Sequence, residues 1–268
     1  MGLVEAGLDP KTKAFYQRTL AVLNEAGPPF LVGGAYALTK HAGIERHTKD
    51  LDVFIRRADR DPMLRALEAA GYQTEATFPH WLAKAYEDDA FIDLIYSSGN
   101  GVSEVDDEWF AHAADGEVMG VPVKLCPAEE MIWSKAFIQE RERFDGADVA
   151  HLIRSRGRGL DWERLLRRFG DKWRILFGHL VTFGFIYPAE RDCIPPWVLK
   201  RLAARLSEEL ECQPPPEPAK VCFGTLLSRE QYLPDIGLWG YRDARLEPIG
   251  SMSPEAVAHW TAAIAGKA

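Results

Sequence analysis

Cysteine is scarce in this chain. Its 268 residues contain four, Cys126, Cys193, Cys212 and Cys222, with no Cys-x-x-Cys pair and no histidine at zinc-ligand spacing. That pattern excludes a disulfide scaffold and the common zinc modules. It predicts reduced, mostly packing thiols in a cytoplasmic protein. Long apolar runs are missing too. No stretch approaches the ~18–20 residues that a membrane span needs, so no membrane association is expected. The first ten residues carry Glu5 and Asp9 and lack a basic segment followed by an apolar one, which argues against a secretory signal. Internal repeats and long low-complexity tracts are absent. Bulk positive charge is absent as well: 40 acidic residues outweigh 32 basic ones, for a net charge of −8. On average, then, the chain is not built to wrap nucleic acid by charge alone.

What is present is a near-average globular composition, 47% hydrophobic and 27% charged, enough for one large domain or two small ones. From Lys11 to Ala26 the apolar residues Tyr16, Leu20 and Leu23 recur at helical spacing, and Gly27-Pro28-Pro29 ends the helix. Phe30-Leu31-Val32 reads as a short buried strand running into Gly33-Gly34. A helix over Ala35–His41 follows, closed by Gly43, and then a strand over 51–55. Asp61 is the expected cap of a further helix with Pro62 at its first position and Gly71 at its end. Strands are predicted at 82–86 and 91–96, joined by Glu87-Asp88-Asp89, and at 121–125. The fold class is α+β, a mixed-sheet core over residues 1–127. A helical lobe is expected over 128–212. A proline-rich linker, Gln213 to Pro218, and a C-terminal tail packed on the body complete the chain.

One constellation carries chemistry. A buried strand ends in Gly33-Gly34, where backbone can approach a ligand that a Cβ would exclude. A helix starts at once, so its free N–H groups and positive dipole end form an anion site suited to nucleotide phosphates. Sixteen positions after Gly34 come Asp50 and Asp52, two apart on a predicted strand and therefore on one face. Paired carboxylates of that kind suit a hard cation such as Mg²⁺. Asp93 stands in the otherwise apolar run Phe91-Ile92-Asp93-Leu94-Ile95, a costly place for an acid unless it binds metal, is paired, or ends the strand. Beside Asp50 and Asp52 it completes a carboxylate triad able to hold two metals for phosphoryl or nucleotidyl transfer. Taken singly, Gly-Gly is ordinary turn chemistry, Asp-x-Asp is commonly an exposed strand face, and Asp93 can be a salt-bridge partner. Their order and spacing together point to the site.

In that order the chain resembles the nucleotidyltransferase superfamily with the DNA polymerase β-like catalytic fold. The residues of the resemblance are Val32, Gly33-Gly34, Asp50, Asp52 and Asp93. The string Arg46-His47-Thr48-Lys49-Asp50-Leu51-Asp52 is also similar to the Arg-x-Thr-x-Asp-x-Asp of abortive-infection-type and antibiotic nucleotidyltransferases. Lys135, Arg141 and Asp145-Gly146-Ala147-Asp148 match a later helical motif of the former. The resemblance covers roughly residues 28–155 and implies roles. Gly33, Gly34 and Ala35 hold phosphates through backbone amides. Asp50 and Asp52 bind two Mg²⁺ ions, with Mn²⁺ as the alternative. Asp93 binds the catalytic ion and acts as base. Lys135 neutralises phosphate charge, and Arg46 and Thr48 order the loop before Asp50 beside the nucleotide. Lys135 reads equally as a solvated helix lysine, and Asp145 and Asp148 as helix-face acids pairing Arg141 or Arg143.

The implied activity moves an NMP from an NTP, ATP among them, onto a hydroxyl of a small molecule, a tRNA or a protein, releasing pyrophosphate. A toxin–antitoxin partner or a phage-defence role is one further implication. The alternative is a catalytically silent nucleotide-binding or interaction module on the same fold. His112 has no metal-spaced partner and reads as a surface or packing residue. Trp239-Gly240-Tyr241-Arg242 offers stacking for a base or acceptor, although such aromatics more commonly close a core. Charge is uneven along the chain. From His80 to Met119 ten acids face one base, Lys84, for a net of −9, whereas Met131 to Gly178 carries a net of +4. The basic helical lobe therefore keeps an RNA acceptor open.

Overall fold

The computed structural model describes residues 8–44, 48, 50–212, 219–247 and 249–265. Arg46, His47, Lys49 and the linker from Gln213 to Pro218 lie outside the described residues. The chain forms two compact units, one of residues 1–127 with 252–268 and one of residues 128–251. The stretch beyond the linker, expected as a single tail, is thus divided between them.

The first unit begins with helix α1 (Pro10–Glu25). Its start is set chemically: the Asp9 carboxylate accepts hydrogen bonds from the amides of Lys11 and Thr12, both at 3.0 Å, and Pro10 occupies the first helical position. Strand β1 (Leu31–Val32), helix α2 (Gly34–Ala42) and strand β2 (Leu51–Phe54) follow. Helix α3 (Arg60–Ala69) leads to strands β3 (Gln73–Phe78), β4 (Leu82–Glu87) and β5 (Ala90–Ile95). Helix α4 (Asp107–Ala111) precedes strands β6 (Ala114–Val118) and β7 (Val121–Leu125). The seven strands form one mixed sheet in the order β3-β4-β5-β2-β1-β7-β6. Pairs β2–β5 and β1–β7 are parallel and the others antiparallel.

Alternation along the central strands divides the sheet into two faces. Leu51, Val53 and Ile55, with Ile92 and Leu94 of β5 and Ala83 and Ala85 of β4, are buried in the core. They cluster with Phe15, Tyr16, Leu20 and Leu23 of α1 and Met63 and Leu67 of α3. Each fully buried Leu or Phe contributes about 1.5–3 kcal/mol by removal from water, so this face fixes the register of β2 against β5. The intervening residues Asp52, Lys84 and Asp93 are left on the opposite face, only partly buried.

Four details depart from the sequence-based expectation. Helix α3 begins at Arg60 after a 3-10 turn over Arg57–Asp59. Asp61 therefore sits inside its first turn, bonded to Arg60 at 2.7 Å, and does not cap it. Strands β3 and β6 and helix α4 were not foreseen.

The second unit contains helices α5 (Ala128–Ala136), α6 (Gly146–Arg156), α7 (Trp162–Phe169), α8 (Trp173–Ile186) and α9 (Pro196–Glu211). Strand β8 (Val221–Cys222) and helix α10 (Leu233–Gly237) follow, and then strand β9 (Arg242–Asp243), which pairs with β8. Inside it the fully buried Glu130 takes both oxygens to Arg164 at 2.8 Å and one to Arg168 at 3.2 Å. Trp239 and Tyr241 are exposed, so they do not close a core. His112 is exposed beyond the end of α4. Cys126, Cys193 and Cys222 are buried and Cys212 is exposed, none of them in a disulfide among the described residues. Helix α11 (Pro254–Ala265) returns to the first unit. Among the described residues no helix is long and apolar enough to cross a membrane.

Candidate active site

The site is assembled at the middle of the sheet. Leu51↔Ile92 through Phe54↔Ile95 are partners across the parallel β2–β5 pair, which makes Asp52 and Asp93 direct neighbours. Asp50 precedes β2 by one residue and shares the face of Asp52 by the two-residue repeat. On the far side of β5, Lys84 of β4 is the partner of Asp93. Its ammonium donates to Asp93 Oδ1 at 2.7 Å and lies 3.8 Å from the centroid of the Phe91 ring. Beyond it, Glu75 of β3 is the partner of Lys84. A row Glu75–Lys84–Asp93–Asp52 therefore crosses four adjacent strands.

The glycine turn lies against the other side of Asp52. The Gly33 amide donates to the Asp52 carbonyl at 2.9 Å, so this N–H serves the sheet, while the amides of Gly34 and Ala35 lie in the first turn of α2. Those amides open α2, whose first turn has no intrahelical acceptors for them, and Gly33 offers no side chain to cap them. Gly34 has φ +53°, and a Cβ there would overlap the Asp52 carboxylate. Gly33 has no such torsion, but its Cβ would run into the Phe54 ring. Both positions demand glycine for space, and Gly34 for backbone conformation as well. Thr48 is tied to Asp50 twice. Its hydroxyl bonds to the Asp50 carbonyl at 3.1 Å and accepts from the Asp50 amide at 3.2 Å. That is a turn-forming role just ahead of the acid.

Electrostatics link the three acids. Burial pushes the Asp93 carboxyl above its ordinary value. The bond and charge of Lys84 pull it back, and the charge of Asp50 pushes it up again. Burial also raises the Tyr16 hydroxyl of α1, and the charges of Asp50, Asp52 and Asp93 add to that shift. One buried phenol thus feels all three carboxylates. Among the described residues no group of three His, Cys, Asp or Glu side chains stands ready to hold a metal ion. The donor set nonetheless fits a hard cation: carboxylate oxygens only, two of them on neighbouring strands, beside a glycine cradle that a Cβ would fill.

Lys135 belongs to the second unit. It bridges Asp145 and Asp148 at 2.8 Å each and its side chain is 15% exposed, so it is not a solvated helix lysine. Arg143 bonds Asp145 at 3.1 Å. Burial raises Asp145, but Arg143 and Lys135 outweigh it and hold the carboxyl below its ordinary value.

A model of the family described as "Uncharacterised nucleotidyltransferase" matches residues 17–173, more than half of the 268 residues. The chain belongs to this nucleotidyltransferase family. The match spans every residue of the glycine turn and the acid row. Among solved structures, the antibiotic-resistance factor ANT(2'')-Ia is similar at 14% identity and a TM-score of 0.41, over 76% of this chain and 100% of that one. The lincosamide antibiotic adenylyltransferase LnuA, solved with lincomycin, is similar at 14% identity and a TM-score of 0.38, over 54% and 96%. JHP933 from Helicobacter pylori follows at 14% identity and a TM-score of 0.36, over 76% and 95%. Likeness at this level assigns no residue and no substrate to this nucleotidyltransferase. No curated protein matches its sequence.

Sequence reasoning missed one residue of the candidate site, Lys84. Lys84 had a signal: it is the one base in the acidic stretch from His80 to Met119, and it interrupts the apolar strand Leu82-Ala83-Lys84-Ala85 as Asp93 interrupts its own.

Proposed function

We propose that the enzyme transfers an NMP from an NTP, ATP included, to a hydroxyl acceptor and releases pyrophosphate, with Mg²⁺ or Mn²⁺ held by Asp50, Asp52 and Asp93. The observation that carries the reading is the adjacency of Asp52 and Asp93 beside the Gly33–Gly34 turn. Bound cations would supply charge neutralisation of the polyphosphate and polarise the attacked phosphorus. The chain does the rest. Gly34 and Ala35 present amides to phosphate oxygens at a helix start. Thr48 fixes the backbone of Asp50, and Asp52 is aimed by its strand and by the Gly34 backbone packed against it. Asp93 takes the proton of the acceptor hydroxyl. Lys135 bridges Asp145 and Asp148 and so holds α5 against α6, and its role toward a phosphate rests on the resemblance alone.

The acceptor class stays with the three candidates, a small molecule such as an antibiotic, a tRNA or a protein. The cytoplasmic setting rests on the reduced thiols. A toxin–antitoxin partner rests on the resemblance alone. The Lys84–Asp93 pair favours one second reading, a silent nucleotide-binding module whose third acid is permanently neutralised. The test is incubation with NTP labelled at the α-phosphate, Mg²⁺ and mixed acceptors, for the native enzyme, Asp50→Ala and Asp52→Ala. Label on an acceptor with the native protein alone supports transfer. NTP binding without transfer, unchanged in the variants, supports the silent module. Absence of NTP binding overturns both.

A further inference from the structure

We propose that Lys84 is a positioning residue that keeps the cation position at Asp93 weak until a nucleoside triphosphate arrives. The inference rests on the metal-dependent reading above. Lys84 and Asp93 are direct cross-strand partners, their charged groups are 2.7 Å apart, and their side chains are only 18% and 15% exposed. The Phe91 ring lies 3.8 Å from the ammonium, a favourable cation–π placement. Lys84 therefore already occupies one oxygen of the third acid in this structure. A divalent cation bound at the same carboxylate meets this ammonium at close range, and the two repel. A triphosphate seated at the Gly34–Ala35 amides brings the negative charge that offsets the repulsion.

The sheet also provides somewhere for the ammonium to go. Glu75 is the partner of Lys84 on the strand away from Asp93, and opposed residues of an antiparallel pair project from the same face. Glu75 is exposed and accepts a hydrogen bond from the Tyr86 hydroxyl at 3.2 Å. Lys84 thus stands between two carboxylates of one row. It bonds Asp93 in this structure, and turns to Glu75 when a metal ion and nucleotide claim Asp93. Asp50 and Asp52, which Lys84 does not flank in the row, retain their affinity for the first cation. The arrangement couples metal loading at the third acid to occupation by substrate.

The experiment is a Mn²⁺ titration of the full chain followed by electron paramagnetic resonance, without nucleotide and with a non-hydrolysable ATP analogue. The variants are Lys84→Met, Lys84→Gln, Lys84→Arg and Glu75→Gln. Without nucleotide, Lys84→Met binds Mn²⁺ at least about tenfold more tightly than the native protein, equivalent to about 1.4 kcal/mol of repulsion removed. Lys84→Arg keeps the charge and stays at the native value. With the analogue bound, native protein and Lys84→Met converge, and Glu75→Gln binds Mn²⁺ more weakly than native. Lys84→Gln repeats the test should Lys84→Met melt early. Equal Mn²⁺ affinity in native and charge-removed variants without nucleotide overturns the proposal. So does Lys84→Arg behaving as Lys84→Met, which would make the effect one of packing. If Asp52→Ala binds Mn²⁺ and analogue as the native protein does, the metal-dependent reading itself falls, and this inference with it. A gain in Lys84→Met that disappears in Lys84→Met/Asp93→Asn supports the proposal and locates the ion.

Discussion

Asp52 and Asp93 are direct partners across the parallel β2–β5 pair, 41 positions apart in sequence and side by side in the sheet. On its other side Asp52 carries the glycine turn: the Gly33 amide bonds its carbonyl and the Gly34 backbone leaves no room for a Cβ against its carboxylate. The glycine turn and the paired acid of β5 are thereby joined at one residue of β2, Asp52.

Asp93→Asn removes the proposed base and keeps the shape. Transfer is expected to fall by roughly 10²–10⁴-fold, the usual contribution of a positioned base, while NTP affinity changes by only a few fold. Asp52→Asn is expected to lose both transfer and metal-dependent NTP binding. Steady-state rates and calorimetric NTP titration of both variants check the contrast.

Gly34→Ala puts a side chain where the Asp52 carboxylate already lies, at φ +53°. The left-handed conformation alone costs about 1–2 kcal/mol for a non-glycine residue, and the overlap adds to it. Lower thermal stability and lost NTP binding are expected together. Gly71→Ala, at φ +95° with open space around its Cβ, should cost stability without touching NTP binding.

The Lys84–Asp93 pair is largely buried, so breaking it from one side leaves an uncompensated charge. Lys84→Met is expected to lower stability by about 3 kcal/mol, the low end for such a pair. The double variant Lys84→Met/Asp93→Asn should recover most of that loss. Urea melts of the two single variants and the double variant, treated as a cycle, measure the coupling.

Asp145 titrates in the opposite sense to Asp93. Its folded value lies below the ordinary 3.8, because Arg143 and Lys135 outweigh burial, so the unfolded chain binds its proton more readily. Its stabilisation is complete above the unfolded value and is lost as pH falls through the folded one. Asp145→Asn should lower stability at neutral pH and flatten the acid limb below about pH 4. Asp93 is raised, so its ionisation costs stability as pH climbs through its folded value. Melting curves across pH for both Asn variants separate the two signs.

Much of this site was legible in the sequence because its parts are local. A buried strand, two glycines, a helix and an Asp-x-Asp strand each announce themselves within a few residues, and Asp93 stands out as an acid in an apolar run. What was not legible is explained by exposure. The unforeseen strands β3 and β6 are the two edges of the sheet. Gln73-Thr74-Glu75-Ala76 and Ala114-Asp115-Gly116-Glu117 face mostly solvent and show no apolar alternation for a pattern to catch. Missing β3 hid Glu75, and with it the row that places Lys84 between two acids. Asp61 looked like a cap because Pro62 follows it, yet the 3-10 turn over Arg57–Asp59 starts the helix earlier. Trp239 and Tyr241 were weighed as core-closing aromatics, whereas the structure leaves them at the surface.

The account stands most directly on where cation and triphosphate bind. Crystals grown with Mn²⁺ and a non-hydrolysable NTP analogue, measured at the manganese absorption edge, locate both. The account predicts anomalous density against Asp50, Asp52 and Asp93, with phosphate oxygens on the amides of Gly34 and Ala35. Manganese and triphosphate bound elsewhere, with these three carboxylates and the glycine turn untouched, would contradict it.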